Sequence, residues 1–225
     1  LGLYYNLMEN KREINESCPK QAYLGLKSSC ENNLILKTID KYIDKVNCFE
    51  FKDTPKAIAK DLHENKVIGL FYGRSEIGPR ALCHRSIIAN PKYLKNWQRV
   101  NEIKSRESWR PFAPIILEGE EDKYFYGCPF PSYFMLFNAL LKTDEIPAIT
   151  HVDRTSRIQS INKDCGIIYE VLIEFQKLDN IPVLMNTSFN GAGEPIVETP
   201  SNAIEFLLKN KIDILYFENH KVIRK

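Results

Sequence analysis

The segment from Gly69 to Arg85 constrains the fold of this chain most, because it joins an apolar run to a charged loop. It reads GLFYGRSEIGPRALCHR, in which the apolar run stops at Gly73 and is followed by Arg74, Arg80 and Arg85. The glycines and the proline favour a strand that runs into a loop over a helix. Guanidinium groups are planar, permanently charged donors that suit phosphate and carboxylate oxygens. The segment therefore predicts an anion-binding loop at the edge of an α/β sheet, with a solvated basic turn as the alternative.

Strands and helices are predicted to alternate along the rest of the chain. Amphipathic stretches and two Thr-Pro pairs predict helices at 34–46, 54–65, 91–104, 118–126, 167–180 and 203–209. Asn32 or Asn33 is the expected cap of the first helix, and Thr54 that of the second. Short apolar runs predict strands at 67–72, 86–89, 112–117, 133–137, 148–152, 157–161, 182–185, 212–217 and 221–223. This pattern indicates an α/β protein, a single compact domain with a twisted mixed β-sheet flanked by helices.

Composition narrows the possible partners. The chain has 225 residues, enough for one substantial domain, and its net charge of +2 is small. That charge and the lack of an interleaved basic and aromatic stripe argue against nucleic acid as a partner. No apolar run approaches the ~20 residues of a membrane span, and the first residues show no signal-peptide pattern. We therefore expect no membrane partner and a cytoplasmic location.

The six cysteines and four histidines form no recognisable metal or disulfide pattern. There is no C-x-x-C pair, and no histidine stands at zinc-site spacing from a cysteine. In a chain of this size without a secretory signature we expect reduced thiols. No metal site is predicted.

A second cationic cluster lies in the segment KSRESWRPFAP. Lys104, Arg106 and Arg110 are crowded there, just before a predicted strand. The negative end of the preceding helix accounts for Lys104 and for Arg106 without any ligand. It does not account for Arg110, which stands between Trp109 and Pro111, where the backbone is restricted. Arg110 is therefore interpreted as a positioned charge.

A third polar segment, NTSFNGAGEP, follows the strand that ends at residue 185. Asn186, Thr187 and Ser188 offer hydroxyl and amide groups, and Gly191 and Gly193 allow close approach of the backbone to a ligand. The segment is not a P-loop, because no Gly-Lys-Ser/Thr follows, and it lacks the third glycine of the dinucleotide fingerprint. An ordinary Asn-Gly turn is the alternative.

A fourth segment, HVDRTSR, lies between these two. His151, Asp153 and Arg157 could form a catalytic set, although a histidine near an aspartate is more often structural. The absence of a Gly-x-Ser-x-Gly elbow argues against Ser188 as a triad nucleophile. Taken together, the strand ends that carry Arg, Lys, Ser and Asn predict a phosphate-bearing polyanionic ligand and phosphoryl or adenylyl chemistry.

In order and spacing, four segments resemble signatures of the C-terminal domain of O-carbamoyltransferases: GRSEIGPRALCHRSI, KSRESWRPFAP, THVDRTSRIQ and NTSFNGAGEPIVETP. That family includes nodulation-factor carbamoyltransferases and those that act on aminoglycoside, cephalosporin and novobiocin-type antibiotics. The resemblance covers residues 20–225 and implies a YrdC-like fold, similar to threonylcarbamoyl-adenylate synthase. It implies that residues 25–225 are this domain. Residues 1–24 would be the tail of a metal-dependent N-terminal transferase domain plus a linker.

The resemblance also implies an enzyme, an ATP-dependent carbamoyltransferase with carbamoyl phosphate as donor. Carbamoyl-adenylate would form here, and the other domain would pass the carbamoyl group to a hydroxyl of a sugar or natural product. The implied cofactors are ATP with Mg²⁺, whereas Fe²⁺ or a similar ion is expected only in the N-terminal domain, the implied protein partner. A module that binds nucleotide or carbamoyl phosphate without turnover is the alternative.

By motif match, the resemblance assigns three catalytic residues and five residues that bind ATP or carbamoyl phosphate. The catalytic residues are Lys104, Arg110 and Arg157. The binding residues are Arg80, Arg85, Asn186, Thr187 and Ser188. Two positions depart from the family pattern, since Cys83 and Arg154 stand where glycine is usual. We expect these departures to affect substrate detail and not the class of reaction.

Overall fold

Residues 22–225 are described by the computed structural model of the chain, and they are arranged around one large β-sheet. The helices are α1 (Asn32–Lys41), α2 (Thr54–His63), α3 (Lys95–Ile103), α4 (Glu121–Tyr124), α5 (Ile167–Asp179) and α6 (Pro200–Lys209). The strands are β1 (Val46–Glu50), β2 (Ile68–Phe71), β3 (Arg85–Ala89), β4 (Ala113–Leu117), β5 (Phe125–Tyr126), β6 (Asn138–Leu141), β7 (Thr155–Arg157), β8 (Gln159–Ile161), β9 (Val183–Ser188), β10 (Ile214–Phe217) and β11 (His220–Arg224). The mixed α/β class expected from the sequence is confirmed. The tail expected at residues 1–24 lies, except for its last three residues, outside the described residues.

The large sheet has eight strands in the order β1–β11–β10–β2–β3–β9–β4–β8. The pairs β10–β2 and β4–β8 are parallel, and the other neighbours are antiparallel. Since β3 is antiparallel to both β2 and β9, these two strands run in the same direction. The register places Phe71 opposite Arg85 and Ser86 opposite Ser188. The arginine loop after β2 and the polar segment after β9 therefore leave the sheet at the same edge, where ligands bind in many open α/β sheets.

Two helix pairs pack on this sheet, α2 with α5 and α1 with α6. Asp61 of α2 accepts hydrogen bonds from the Tyr216 hydroxyl of β10 at 2.5 Å and from Lys221 of β11 at 2.8 Å. Phe206 of α6 meets Phe189 edge-on, with 5.1 Å between ring centroids. Buried apolar side chains of sheet and helices form one continuous cluster, whose removal from water is the main driving force for folding.

The predicted helix starts shift by one residue or more. Asp53, not Thr54, caps α2, and its carboxylate accepts a hydrogen bond from the backbone N–H of Lys56 at 3.2 Å. The N-cap residue of α1 is Glu31, not Asn32 or Asn33, and its side chain makes no capping hydrogen bond. The sequence predicts the regions of both helices correctly, because their apolar residues recur at helical spacing. A cap depends on local backbone geometry, which that period does not specify.

Two predicted strands are wrong. Residues 133–137 form a turn in which Met135 has a φ of 54° and Leu136 is exposed. Residues 148–152 also form no strand. The first two of them belong to the 3₁₀ turn Pro147–Ile149, which begins with a proline that has no N–H for a strand ladder. The predicted strand 157–161 is divided between two sheets, because β7 pairs with β6 in a three-stranded sheet and β8 pairs with β4 in the large one. Alternating polarity indicates a strand but not which neighbour it pairs with.

Candidate functional site

The ammonium group of Lys104 is buried among hydrogen-bond acceptors at the end of α3, and its residue is 3% exposed. Nζ donates to the backbone carbonyl of Ser188 at 2.5 Å and to the backbone and side-chain oxygens of Asn190, both at 2.8 Å. Burial, followed by the charges of Arg106 and Arg110, lowers the pKa of Lys104 to about 7. A bound anion would stabilise the charged form, because an opposite charge raises the pKa of an amine.

Arg106 and Arg110 lie beside Lys104 in the sequence and act on it through their charges. Arg106 donates from Nε to the side-chain oxygen of Asn101 at 2.6 Å, and its guanidinium lies 4.6 Å from the centroid of the Phe112 ring. Burial and the charge of Arg110 lower the pKa of Arg106 to about 10. Arg110 is exposed and forms an ion pair with a neighbouring glutamate. The mutual repulsion of these cations is what a bound polyanion relieves.

Strand β9 supplies the neutral polar groups of the site. Side chains alternate along a strand, so Asn186 and Ser188 share one face and Thr187 points to the other. The Ser188 hydroxyl donates to Asn190 Oδ1 at 2.7 Å, and Asn186 Nδ2 donates to the carbonyl of Ala81 at 3.1 Å. Asn186 Oδ1 is buried without a partner among the described residues. Such an acceptor costs about 1–3 kcal/mol, which a ligand N–H would recover.

The arginine loop, residues 73–84, is organised by a glutamate that the sequence analysis did not select. Oε1 of Glu76 accepts hydrogen bonds from the backbone N–H groups of Leu82, His84 and Arg85, at 2.6, 2.7 and 3.2 Å. Three donors on one carboxylate oxygen hold the two ends of the loop together. No sequence signal marks this residue, because its partners are backbone groups that every residue type has.

The three arginines of this region differ in their surroundings. Arg74 donates to backbone carbonyls of the segment before α1. Arg85 is fully buried and donates to the backbone carbonyls of Tyr72, Gly73 and His84. Its guanidinium lies 3.5 Å from the centroid of the Phe71 ring. Arg80 is exposed and lines a cavity of about 520 Å³ together with Arg157. Of these three, Arg80 is therefore the one that the geometry leaves facing an open cavity.

Arg157 has one nitrogen, Nε, that is buried without a partner among the described residues. Burial, and then the charge of Arg80, lowers the pKa of Arg157. The hydrogen bond from Asn186 to the carbonyl of Ala81, the neighbour of Arg80, joins the arginine loop to β9. The structure thus brings the predicted residues together in two groups at one sheet edge, Lys104 with Ser188 and Arg80 with Arg157. Asn186 is part of β9 and contacts the arginine loop through its hydrogen bond to Ala81.

Cys83 and Arg154, which stand where glycine is usual, have φ values of 83° and 61°. Glycine adopts this left-handed conformation without strain, so the backbone at both positions keeps a form that favours glycine. Cys83 is fully buried, and its Sγ lies 3.7 Å from Gln159 Oε1 and 3.7 Å from Asn186 Nδ2. Burial raises the pKa of its thiol well above the ordinary value. An uncharged thiol therefore fills space beside Asn186 that a glycine would leave open.

His151 and Asp153 are connected through Thr155. The Thr155 hydroxyl donates to Asp153 Oδ1 at 2.7 Å and lies 3.1 Å from His151 Nδ1. Burial lowers the pKa of His151, and the hydrogen bonds from Thr155 lower that of Asp153. The charge of Arg157 lowers the pKa of His151 further. The His-Asp pair is thus an oriented chain in a loop and not a directly bonded dyad.

Asn190 and Arg106 belong to the site but are not among the residues that the sequence analysis assigns to binding or catalysis. The signal that could have identified Asn190 is its spacing of two residues from Ser188, which is the spacing of side chains on one side of an extended segment. Among residues 22–225, no group of three His, Cys, Asp or Glu side chains could hold a metal ion. Cysteines in the same part of the chain are free, and no helix there is long and apolar enough to cross a membrane.

Comparison with known proteins adds sequence relatives. The sequence model of the carbamoyltransferase C-terminus matches residues 59–225. Nodulation protein NolNO of Sinorhizobium fredii is 36% identical over 228 residues, which cover 95% of this chain and 33% of that protein. Nodulation protein NolO of Bradyrhizobium diazoefficiens is 39% identical over 169 residues, covering 72% of this chain and 31% of that protein. The chain thus spans about a third of the length of these relatives.

Two solved structures share the fold. Full-length HypF, in a phosphate- and nucleotide-bound form, matches with a TM-score of 0.55 and 20% identity, over 74% of this chain and 25% of that one. HypF from T. kodakarensis matches with a TM-score of 0.56 and 15% identity, over 80% of this chain and 23% of that one. At these identities the likeness concerns the fold alone, and it confirms the expected YrdC-like mixed α/β architecture.

Proposed function

The chain belongs to the carbamoyltransferase C-terminal family, and we propose that it is the adenylating domain of an O-carbamoyltransferase. Water would convert carbamoyl phosphate to carbamate and phosphate. A carbamate oxygen would then attack the α-phosphorus of ATP, forming a P–O bond and releasing pyrophosphate. The remaining part of the longer protein would transfer the carbamoyl group from this adenylate to a hydroxyl of a sugar or natural product, with AMP as the leaving group.

One observation carries this proposal, the buried Lys104 ammonium held between Ser188 and Asn190 with Arg106 and Arg110 beside it. Its lowered pKa reports unfavourable burial of a charge among like charges. A triphosphate bound here would neutralise these cations and keep Lys104 protonated. The same cations would stabilise the negative charge that develops on the departing pyrophosphate, without reorganising at the moment of reaction.

The other predicted residues fit around the reacting carbamate. Arg157, with an unpaired buried Nε, and Arg80 would hold the α-phosphate or the carbamoyl group. Asn186 and Ser188, on one face of β9, would hydrogen-bond the carbamoyl end, where the unpaired Asn186 Oδ1 can accept from a carbamoyl N–H. The HypF structure that shares this fold holds phosphate and nucleotide, which supports ligands of the same kind here.

Mg²⁺ would accompany ATP and neutralise part of the triphosphate charge. The groups around Lys104 are cations and neutral polar groups. This arrangement fits a Mg²⁺ ion that is bound by phosphate oxygens of the nucleotide and by water. Lys104, Arg106 and Arg110 would then hold the oxygens that the ion leaves free, and would orient the triphosphate for in-line attack.

The test is pyrophosphate release from ATP and Mg²⁺ by the purified chain, with and without carbamoyl phosphate. We expect release only when carbamoyl phosphate is present, and its loss in Lys104→Ala and in Arg110→Ala. Lys60→Ala, which removes an exposed lysine of α2, is the matched control and keeps full activity. Release without carbamoyl phosphate, or full activity in Lys104→Ala, contradicts the proposal.

A second candidate function is binding without turnover, because the chain spans only about a third of its relatives. In that case, calorimetry would detect binding of ATP or carbamoyl phosphate, while pyrophosphate release stays at background. Supplying the N-terminal part of the longer protein would then restore release. Release by the chain alone excludes this second candidate.

A further inference from the structure

Residues 22–26, which we call the strap, are joined to the arginine loop by backbone hydrogen bonds. The N–H of Gly25 donates to the carbonyl of Ser75 at 2.9 Å, and the N–H of Ile77 donates to the carbonyl of Ala22 at 2.8 Å. A Cβ atom at Gly25 would lie 1.8 Å from the Ser75 Oγ and 2.9 Å from its carbonyl oxygen. The strap and the loop are therefore so close that a side chain at position 25 would collide with the loop.

Side chains fasten the strap to both ends of the loop. At the start of the loop, the guanidinium of Arg74 donates to two carbonyls of the strap, at 2.8 and 2.7 Å. At its end, the Tyr23 hydroxyl donates to the Leu82 carbonyl at 2.9 Å, and the Tyr23 ring stacks on His84 with 3.6 Å between ring centroids. These contacts use other groups of the loop than the N–H groups that bind Glu76, so the strap adds a second, separate support.

The strap also forms part of the wall of the cavity that Arg80 and Arg157 line. Ala22 and Ile77 line the same cavity of about 520 Å³. Ile77, whose N–H donates to the strap, stands three residues before Arg80. The Arg80 side chain is exposed, so the position of its guanidinium depends on the loop backbone that carries it. The contacts of the strap thus reach the part of the loop that presents Arg80.

We propose that the strap positions Arg80 for binding of carbamoyl phosphate, with Tyr23 as the positioning residue. Without the strap contacts, residues 77–80 can take several positions, and a ligand must then offset the entropy lost when they are ordered. The coupling is reciprocal, so an anion bound by Arg80 also orders the strap. This inference rests on the proposed function, because it takes carbamoyl phosphate as the ligand of Arg80 and Arg157.

The experiment compares carbamoyl phosphate with inorganic tripolyphosphate, which is expected at Lys104. Calorimetry on the full chain should show carbamoyl phosphate binding about tenfold weaker in Tyr23→Ala, which loses the stack and the hydrogen bond. Tyr23→Phe keeps the stack and should stay within about threefold of the wild type. Tripolyphosphate should bind both variants and the wild type equally, because Lys104 is held by Ser188 and Asn190.

A second variant disturbs the strap by another route. Gly25→Ala places a methyl group against Ser75 and should weaken carbamoyl phosphate binding as much as Tyr23→Ala does. The matched controls are Tyr42→Ala and Tyr42→Phe, at the end of α1, where the tyrosine hydroxyl donates to Glu205 of α6 at 2.9 Å. Both controls should bind the two ligands as the wild type does.

Hydrogen exchange measures the contact between strap and loop directly. The Ile77 amide should exchange faster in Tyr23→Ala than in the wild type, with or without ligand. In the wild type, carbamoyl phosphate should slow exchange at the amides of Gly25 and Ile77, which donate across the contact.

Two binding results overturn the inference. Unchanged carbamoyl phosphate affinity in Tyr23→Ala shows that the strap does not position Arg80, and an equal loss for both ligands shows that Tyr23 supports the fold as a whole. If the wild type does not bind carbamoyl phosphate, the proposed function fails, and exchange at Ile77 alone decides the positioning role. Faster exchange in Tyr23→Ala then supports that role, and unchanged exchange overturns it.

Discussion

The Lys104 ammonium lies 2.8 Å from both the backbone and the side-chain oxygen of Asn190, across 86 residues of sequence. With the carbonyl of Ser188, these oxygens accept all three protons that a lysine can donate. The ammonium is therefore held in place by neutral dipoles and not by a carboxylate. A phosphate oxygen that replaces one of these three acceptor oxygens would bind an ammonium group that is already in position and only weakly neutralised.

The first prediction concerns Asn190→Asp. The new carboxylate would lie beside Lys104, raise the pKa of its amine and repel an incoming phosphate. We expect tripolyphosphate to bind this variant about tenfold more weakly or worse at pH 7, measured by calorimetry. Asn33→Asp, at an exposed position of α1, adds the same charge far from the site and should bind normally. Equal affinity in Asn190→Asp would place the anion elsewhere.

The second prediction follows from the pKa of Lys104, about 7 in the folded chain and 10.5 as the ordinary value. Between these pH values the unfolded chain holds one proton more than the folded chain, so Lys104 makes stability rise with pH. The slope is at most about 1.4 kcal/mol per pH unit. Lys104→Met lacks this contribution. The difference in unfolding free energy, wild type minus variant, should therefore increase from pH 7 to pH 10.

Urea unfolding at several pH values across that range measures the difference. Lys60→Met removes an exposed lysine and should show a constant difference from the wild type. A difference between the wild type and Lys104→Met that stays flat with pH is incompatible with a depressed pKa in the folded chain.

The third prediction concerns Glu76, whose carboxylate oxygen accepts three backbone hydrogen bonds in the arginine loop. Glu76→Ala leaves those N–H groups without their acceptor, so we expect a loss of about 2–3 kcal/mol in unfolding free energy. Glu76→Gln keeps a side-chain oxygen that can accept these hydrogen bonds, so its loss of unfolding free energy should be smaller. Hydrogen exchange at Leu82, His84 and Arg85 should accelerate in Glu76→Ala. Glu102→Ala, on the exposed side of α3, should leave exchange at these amides unchanged.

The fourth prediction concerns the backbone at Arg154, where φ is 61°. Arg154→Gly and Arg154→Ala both remove the exposed ion pair with Asp144, but glycine alone relieves the left-handed conformation. The glycine variant should therefore be the more stable of the two, by about 0.5–1 kcal/mol. Lys37 is an exposed residue in the middle of α1. There the order should be reversed, with Lys37→Ala more stable than Lys37→Gly by about 1 kcal/mol. An alanine variant as stable as the glycine variant at position 154 would show that the strain is absent.

Much of the local structure could be predicted because it depends on neighbours in the sequence. The apolar run before Gly73, the Thr-Pro start near Thr54 and the stripe that ends at Asn180 each predicted an element that is present within a residue or two. Failures occurred where a distant partner decides the outcome. Residues 133–137 have strand-like composition but form a turn, and β7 and β8 belong to different sheets although one residue separates them.

The features of the candidate site also divide into those that the sequence predicts and those that depend on distant partners. Hydrophobic period by itself determined the α/β class and the strand ends that carry arginine, lysine and asparagine, because that period is a local property. The resemblance of four motifs to a known family indicated the carbamoyltransferase C-terminal domain, and the sequence relatives show that the chain belongs to it. Only the tertiary structure decided that Lys104 meets Asn190, that Arg85 is enclosed by its own loop and that Arg80 faces a cavity with Arg157. The physical reason is that burial and hydrogen-bond partners set the charge state and direction of a side chain. Those partners come from strand pairing between segments that are distant along the chain.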